Sequence, residues 1–268
     1  MSEEGFEGKA AIITGAARGI GKATALALAR RGCGVVLSGR DAGALALVAG
    51  EAEQLGARAV CVAADVCDGS TPAQLVEAAH ATFARLDFLV NSAGYAKSAP
   101  LLELELDVWQ QFVNLHLTAT LRCAQAAARD MIARQSPGRI VNLSSIAGAM
   151  AMYGNGAYGA VKAAVSSLTR TLAIELAPHR IGVNAVAPGP VDTEGFRAVN
   201  DEEKYRERSR SIPLGRLAVP AEVAETIAFL LSPQAACITG QTIAIDGGAA
   251  AVGCYSFETY KRSGRSGC

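Results

Sequence analysis

The rhythm of this chain limits its fold more than any single motif does. Short runs of β-branched and apolar residues alternate with longer Ala- and Leu-rich stretches at helical spacing, the pattern of parallel strands joined by crossover helices. Strands are expected at Ala10–Thr14, Gly34–Ser38, Arg58–Ala63, Phe88–Asn91, Arg139–Ser144, Gly182–Ala187 and Thr242–Ile245. Helices are expected at about 19–31, 41–55, 72–84, 107–134, 157–177 and 220–231. Seven strands with six intervening helices describe a single Rossmann-type, doubly wound α/β domain, a seven-stranded parallel sheet with helices on both faces. Such sheets bind ligands at the carboxyl ends of their strands, where successive connections leave toward opposite faces.

That domain occupies residues 1–248, and its polar, mixed-charge segment Glu194–Ile212 reads as a lid inserted over the site. Residues 249–268 form a C-terminal tail whose Tyr255, Phe257 and Tyr260 suit docking on a neighbouring subunit. A chain of 268 residues, half of them hydrophobic, buries one large core. Its 25 Lys and Arg balance 25 Asp and Glu, so it offers no basic field for nucleic acid or an anionic membrane, and a small neutral ligand fits better.

Seven scattered cysteines without a CxxC pair suggest neither a disulfide framework nor a zinc site, and free thiols point to the cytoplasm. Met1–Gly8 is acidic and resembles no export leader, and no apolar run reaches membrane-spanning length. His80, His116 and His179 lack metal-ligand spacing and read as surface or packing residues, so no metal is expected.

Thr14-Gly15-Ala16-Ala17-Arg18-Gly19-Ile20-Gly21 joins the first strand to the first helix. Gly15, Gly19 and Gly21 allow a tight turn that brings backbone against a pyrophosphate at the helix N-terminus. After the second strand comes Ser38-Gly39-Arg40, where a carboxylate would select a free ribose 2′-hydroxyl. Gly39 removes that repulsion, Arg40 can fork onto a 2′-phosphate, and Arg18 can add a second cation, so NADP(H) is expected over NAD(H). NAD(H) stays open, because solvated arginines and the adjacent Asp41 fit the same residues. Asp65, with the Val66 backbone, can accept from an adenine amino group, or it can cap its own turn. Asn91-Ser92-Ala93-Gly94 follows the fourth strand, where Ala93 and Gly94 let a ribose lie against backbone and Asn91 can tie adjacent strands.

Tyr158 and Lys162 stand at i,i+4 early in an apolar helix, one turn apart on one face. A free phenol titrates near about 10, so Tyr158 needs its anion stabilised to work near neutrality, and Lys162 can supply that. Ser145 ends the fifth strand and can polarise a carbonyl, with Ser144 as its competitor. Asn114 sits inside the 107–134 helix, a mediocre place for an amide unless its side chain or a loosened backbone is used. A water held there could relay protons to Lys162.

Together TGAARGIG, NSAG, the Asn114 helix, LSS, YGAVK, NAVAPGPVDT and ITGQTIAIDGG resemble the short-chain dehydrogenase/reductase family, in order, from about Gly8 to Gly248. The resemblance implies an Asn-Ser-Tyr-Lys tetrad at Asn114, Ser145, Tyr158 and Lys162, and the family spacing of serine to tyrosine favours Ser145 over Ser144. It implies that Asn91 and Gly94 support the cofactor wall, and that Pro188-Gly189-Pro190-Val191-Asp192-Thr193 holds the nicotinamide carboxamide through the Val191 backbone and the Thr193 hydroxyl. NSAG replaces the commoner NNAG. A homotetramer is implied as well, and the small and apolar residues of the two long helices suit subunit contacts.

The expected activity interconverts a ketone and a secondary alcohol, as a 3-oxoacyl reductase or small carbonyl reductase does. An NAD-dependent alcohol, diol or sugar dehydrogenase is the alternative within this fold, and a non-catalytic dinucleotide sensor the alternative outside enzymes. Substrate contacts are expected from Ser145, Ala147, Tyr153, Asn155, Tyr158 and Pro190, with Tyr95, Ala96, Ile146, Met152 and the lid completing a mostly apolar rim. The lid arginines Arg197, Arg206, Arg208 and Arg210 interleave with Glu202, Glu203 and Glu207 and read as a solvated helix face rather than a site for an acidic group.

Overall fold

The computed structural model describes residues 5–252, so the aromatic tail at Tyr255–Tyr260 lies outside it. Its strands are β1 (Ala10–Thr14), β2 (Gly34–Gly39), β3 (Ala59–Ala63), β4 (Phe88–Asn91), β5 (Gly138–Leu143), β6 (Ile181–Pro188) and β7 (Thr242–Ile245). They form one parallel sheet in the order β3-β2-β1-β4-β5-β6-β7. The chain winds outward from β1 to β3 and then returns to lay β4 on the other side of β1, which puts the switch point between β1 and β4.

Alternate side chains of each strand feed two cores. Ala11 and Ile13 enter one, with Leu28 of α1 (Gly19–Ala29), Leu45 and Val48 of α2 (Ala42–Gln54), and Val223 and Ile227 further along the chain. Ile12 enters the other, with Leu75 of α3 (Thr71–Phe83), then Ala127 and Met131, and then Leu172 and Leu176. Burial on both faces explains why β1 and β4 are wholly buried, whereas the edge strand β3 is only partly so. Each fully buried Leu or Ile contributes about 1.5–3 kcal/mol.

The stretch expected as one helix over 107–134 is three pieces: α4 (Leu106–Phe112), a π-turn at Val113–Thr118 and α5 (Ala119–Ala133). A π-turn adds one residue to the helical circuit and rotates the helix beyond it, which a pattern of fixed period cannot register. From the first turn of α5, Thr120 Oγ1 donates back to the His116 carbonyl of the π-turn at 2.8 Å. The helix α6 (Gly156–Leu176) then carries Tyr158 and Lys162.

The segment expected as a lid folds as α7 (Glu194–Arg197) and α8 (Glu202–Ser211), neither of which the apolar rhythm indicates. Side-chain caps start both: Thr193 Oγ1 accepts from Phe196 N at 3.1 Å and Asp201 Oδ1 accepts from Lys204 N at 2.8 Å. The last α-helix among the described residues, α9 (Pro220–Leu231), packs along α1.

Candidate active site

The phosphate turn is built as its glycines require. Gly15 and Gly19 adopt φ of 68° and 57°, and a β-carbon on Gly21 would collide with the Gly15 carbonyl. No side chain caps the N-terminus of α1, so its first N–H groups stay open for an anion. Thr14 Oγ1 accepts from Ser92 N at 3.0 Å and Ala93 N at 3.1 Å, fastening the Asn91–Gly94 loop against this turn. That locking role of Thr14 is not evident from the motif, because the hydroxyl's partners lie 78 and 79 residues away.

At the end of β2 the Ser38 hydroxyl is buried without a hydrogen-bond partner, an unusual state for a polar side chain in a site needing no ligand. A β-carbon on Gly39 would meet Leu45 and Ala17 only at 3.5 and 3.7 Å, so the protein's own packing does not demand glycine there. Arg18 and Arg40 are exposed, and among the described residues neither forms an ion pair. Asp41 Oδ1 instead accepts from Ala44 N at 3.0 Å and caps α2. Asp65 Oδ1 accepts from Cys67 N at 2.9 Å, so one carboxylate oxygen holds its own turn, beside the buried Val66. The open helix end, the orphaned Ser38 hydroxyl and the free cations fit a dinucleotide carrying phosphate.

Beneath the strand ends lies a buried polar floor. Asn91 Nδ2 donates to Asn142 Oδ1 at 2.9 Å, and Asn142 Nδ2 donates to Thr169 Oγ1 at 3.0 Å, tying β4 to β5 and β5 to α6. Ser144 is absorbed into it: its hydroxyl donates to the Lys162 carbonyl at 2.9 Å and shares a 2.7 Å bond with Ser166. Ser145 is placed differently. Its oxygen accepts from Ala147 N at 3.2 Å, and its hydroxyl reaches the Pro188 carbonyl only at 3.4 Å, a weak bond that a substrate can replace. A β-carbon on Gly159 would lie 2.7 Å from the Ala147 carbonyl, so the glycine after Tyr158 lets the Ser145 loop seat directly on α6.

Burial pushes the Tyr158 phenol above its ordinary range, and the hydroxyl of Ser145 opposes that shift. Lys162 Nζ lies 5.6 Å from the centroid of the Tyr158 ring and donates to the Leu143 carbonyl at 2.6 Å. Complete burial brings its pKa down to about 7. Asn114 is not brought to this pair through its side chain: the amide is exposed, with Oδ1 accepting from Gln110 Nε2 at 2.9 Å. Its backbone carbonyl accepts from Ala119 N across the π-turn.

Thr193 comes from the far side, its methyl 3.5 Å from the position of a Gly19 β-carbon. Gly189 N donates to the Ile245 carbonyl at 3.0 Å, Ala218 N donates to the Pro190 carbonyl at 3.2 Å, and Val191 bridges to Ala218. A cavity of about 390 Å³ runs mainly along α1 and α9, lined by Lys22, Leu26, Arg30, Pro220 and Glu225, and takes in Gly19 and Thr193. On the rim, Ala147 is buried, Asn155 Oδ1 accepts from Ser98 Oγ at 2.9 Å, and Tyr153 stands in solvent at 93% exposed. Arg197 forks onto Asp192 at 2.6 and 2.6 Å, and Tyr205 donates to the same carboxylate at 3.2 Å. This lid arginine pins its own helix.

Among the described residues no cluster of three potential metal ligands occurs, and no helix is long and apolar enough to cross a membrane. Five described cysteines are free thiols, and burial pushes Cys123 up to about 12, away from reactivity.

An uncapped glycine turn at the switch point and a buried tyrosine–lysine pair are the parts that a dinucleotide-linked oxidoreductase requires. The sequence model of the family described as enoyl-(acyl carrier protein) reductase matches residues 15–250. A cis-4-hydroxycyclohexanecarboxylate dehydrogenase of Sinomonas cyclohexanicum is 44% identical over 250 residues, covering 93% of this chain and 99% of the relative. A 3-oxoacyl-[acyl-carrier-protein] reductase of Synechocystis sp. is 42% identical over 240 residues, covering 89% and 95%. The solved structure of a 7α-hydroxysteroid dehydrogenase complexed with NADH and 7-oxo glycochenodeoxycholic acid superposes with a TM-score of 0.87 at 31% identity, covering 91% and 94%. The chain belongs to the short-chain dehydrogenase/reductase family and is an oxidoreductase of the alcohol–carbonyl class.

Proposed function

We propose that this enzyme is an NADP(H)-dependent reductase of ketones, acting in reverse on secondary alcohols, with Tyr158, Lys162, Ser145 and Asn114 as its catalytic set. The observation that carries the proposal is the buried Tyr158–Lys162 pair, in which the lysine's pKa of about 7 makes a proton mobile near neutrality. When bound, the nicotinamide supplies or accepts the hydride. Ser145 and Tyr158 hold the carbonyl oxygen, and Tyr158 delivers its proton as charge develops there. An ammonium on Lys162 favours the phenolate left behind. Asn114 would act through its backbone carbonyl at the π-turn, which already accepts from Ala119 N, rather than through its exposed amide.

Gly15, Gly19, Ile20 and Gly21 would cradle the pyrophosphate, Asp65 and Val66 the adenine, and Asn91, Ala93 and Gly94 the ribose wall. Pro188, Gly189, Val191 and Thr193 would hold the carboxamide. The mostly apolar rim and the Synechocystis relative support a 3-oxoacyl or small-carbonyl substrate. Free thiols support a cytoplasmic enzyme, and the exposed apolar face of α4 supports a homotetramer.

Cofactor preference rests on Ser38, Gly39, Arg18 and Arg40, with Asp41 committed to its helix cap. Specificity constants measured with NADPH and NADH test it. The expected result is a preference for NADPH that falls by about tenfold or more in Arg40→Ser, the loss of one charge-assisted contact. A wild-type preference for NADH rejects this part of the proposal.

A further inference from the structure

One ring against Tyr158 takes no part in the proton transfer just described. His116 lies on the π-turn two residues beyond Asn114 and is only 1% exposed. Its imidazole meets the Tyr158 ring edge-on, with centroids 5.5 Å apart at 85°, and stacks on Phe112 at 5.5 Å and 15°. Nε2 lies 2.9 Å from the Tyr95 carbonyl, a pure acceptor, so Nε2 carries the hydrogen and Nδ1 is an acceptor lone pair.

Nδ1 is buried and unpartnered, and the ring fills the space against Gly94, where a β-carbon would overlap it. The glycine of the Asn91–Gly94 loop therefore makes room for His116. The charged group facing this ring is Lys162, and together with burial it keeps the imidazole neutral, with a pKa of about 3. The ring neighbours are otherwise aromatic: Tyr95, Phe112 and Tyr158.

We propose that His116 is a positioning residue for the proton-transferring tyrosine: its neutral ring fixes and dries the Tyr158 phenol, while its Nε2–H fastens the Tyr95 loop to the catalytic floor. The inference rests on the assignment of Tyr158 as the proton donor. Two functions in one side chain can be separated by substitution. Phenylalanine keeps a ring of nearly the same shape and loses the donor. Glutamine can keep an N–H toward the Tyr95 carbonyl and loses the ring.

The ring's role also has a sign. Burial raises the Tyr158 pKa, so admitting water beside the phenol lowers it. In His116→Gln the pH limb of kcat for alcohol oxidation, measured with NADP+ and a secondary alcohol that the wild type turns over, moves to lower pH, and kcat falls by about tenfold. In His116→Phe the limb stays at its wild-type position and kcat stays within about threefold, while KM rises as the Tyr95 loop loosens.

A folding role alone would lower the melting temperature of both variants without moving the limb. The proposal is overturned if the limb stays put in His116→Gln, or if His116→Phe loses kcat as severely as His116→Gln. Should the glutamine variant not fold, His116→Leu, which also removes the ring, is read by the same limb and the same kcat. Tyr158→Phe, measured alongside, separates the two levels. An inactive Tyr158→Phe with unaltered His116 variants removes this inference alone, whereas an active Tyr158→Phe removes the assignment beneath it.

Discussion

At the scale of single residues, chemistry here depends on burial more than on identity. Tyr158 and Lys162 are a common helical spacing, and what distinguishes them is a lysine whose charge has been taken fully out of water. Its pKa is about 7 in the folded protein against an ordinary 10.5. Between those values the unfolded chain binds more protons than the folded one, so stability rises with pH across that window and the penalty is complete below about pH 7. Lys162→Met should therefore stabilise the cofactor-free enzyme by on the order of 2–5 kcal/mol below pH 7, with the gain fading toward about pH 10. Thermal melts of both proteins across that range check it, and a gain independent of pH would contradict the burial account. The two serines make the same point. Nothing in Leu143-Ser144-Ser145 says which hydroxyl is spent, since Ser166 and the Lys162 carbonyl reach Ser144 only after α6 has packed.

Elements carry the next level. Most of the sheet and its crossover helices are readable from periodicity, because strands buried on both faces are nearly continuous apolar runs bounded by turns. The π-turn is not, since one inserted residue leaves the composition of a helix unchanged. The unsuitability of Asn114 for a helix interior is its visible trace. Helices α7 and α8 leave no apolar rhythm because they are polar and short: the interleaved charges indicate a helix face, but the starts depend on the caps Thr193 and Asp201. The approach to α4 is unfinished in a single copy. Leu102 and Leu106 are 103% and 81% exposed, with Trp109 next along the helix at 36%. Contiguous apolar surface of this kind favours association. Light scattering should give about four times the 27.5 kDa chain mass, and Leu106→Arg should reduce it. A wild-type monomer would remove the tetramer from the proposal.

For the whole molecule, the sheet's switch point is what turns scattered motifs into one site. Thr14 pairs with Asn91 and Asn91 with Asn142 across three adjacent strands, which gathers segments more than 120 residues apart in sequence. Order along the chain is enough to foresee that gathering. It cannot foresee His116, whose role depends on the rotation introduced by the π-turn, nor the exposure of Tyr153, which its place in the sequence assigns to the substrate rim. Whether Tyr158 moves the proton is read from the loss of NADPH absorbance in the presence of a ketone panel. The wild type should oxidise NADPH with at least one ketone, and Tyr158→Phe should bind NADPH with unchanged affinity while losing about 100-fold or more in kcat on that ketone. Near-normal turnover by Tyr158→Phe would mean that another group moves the proton.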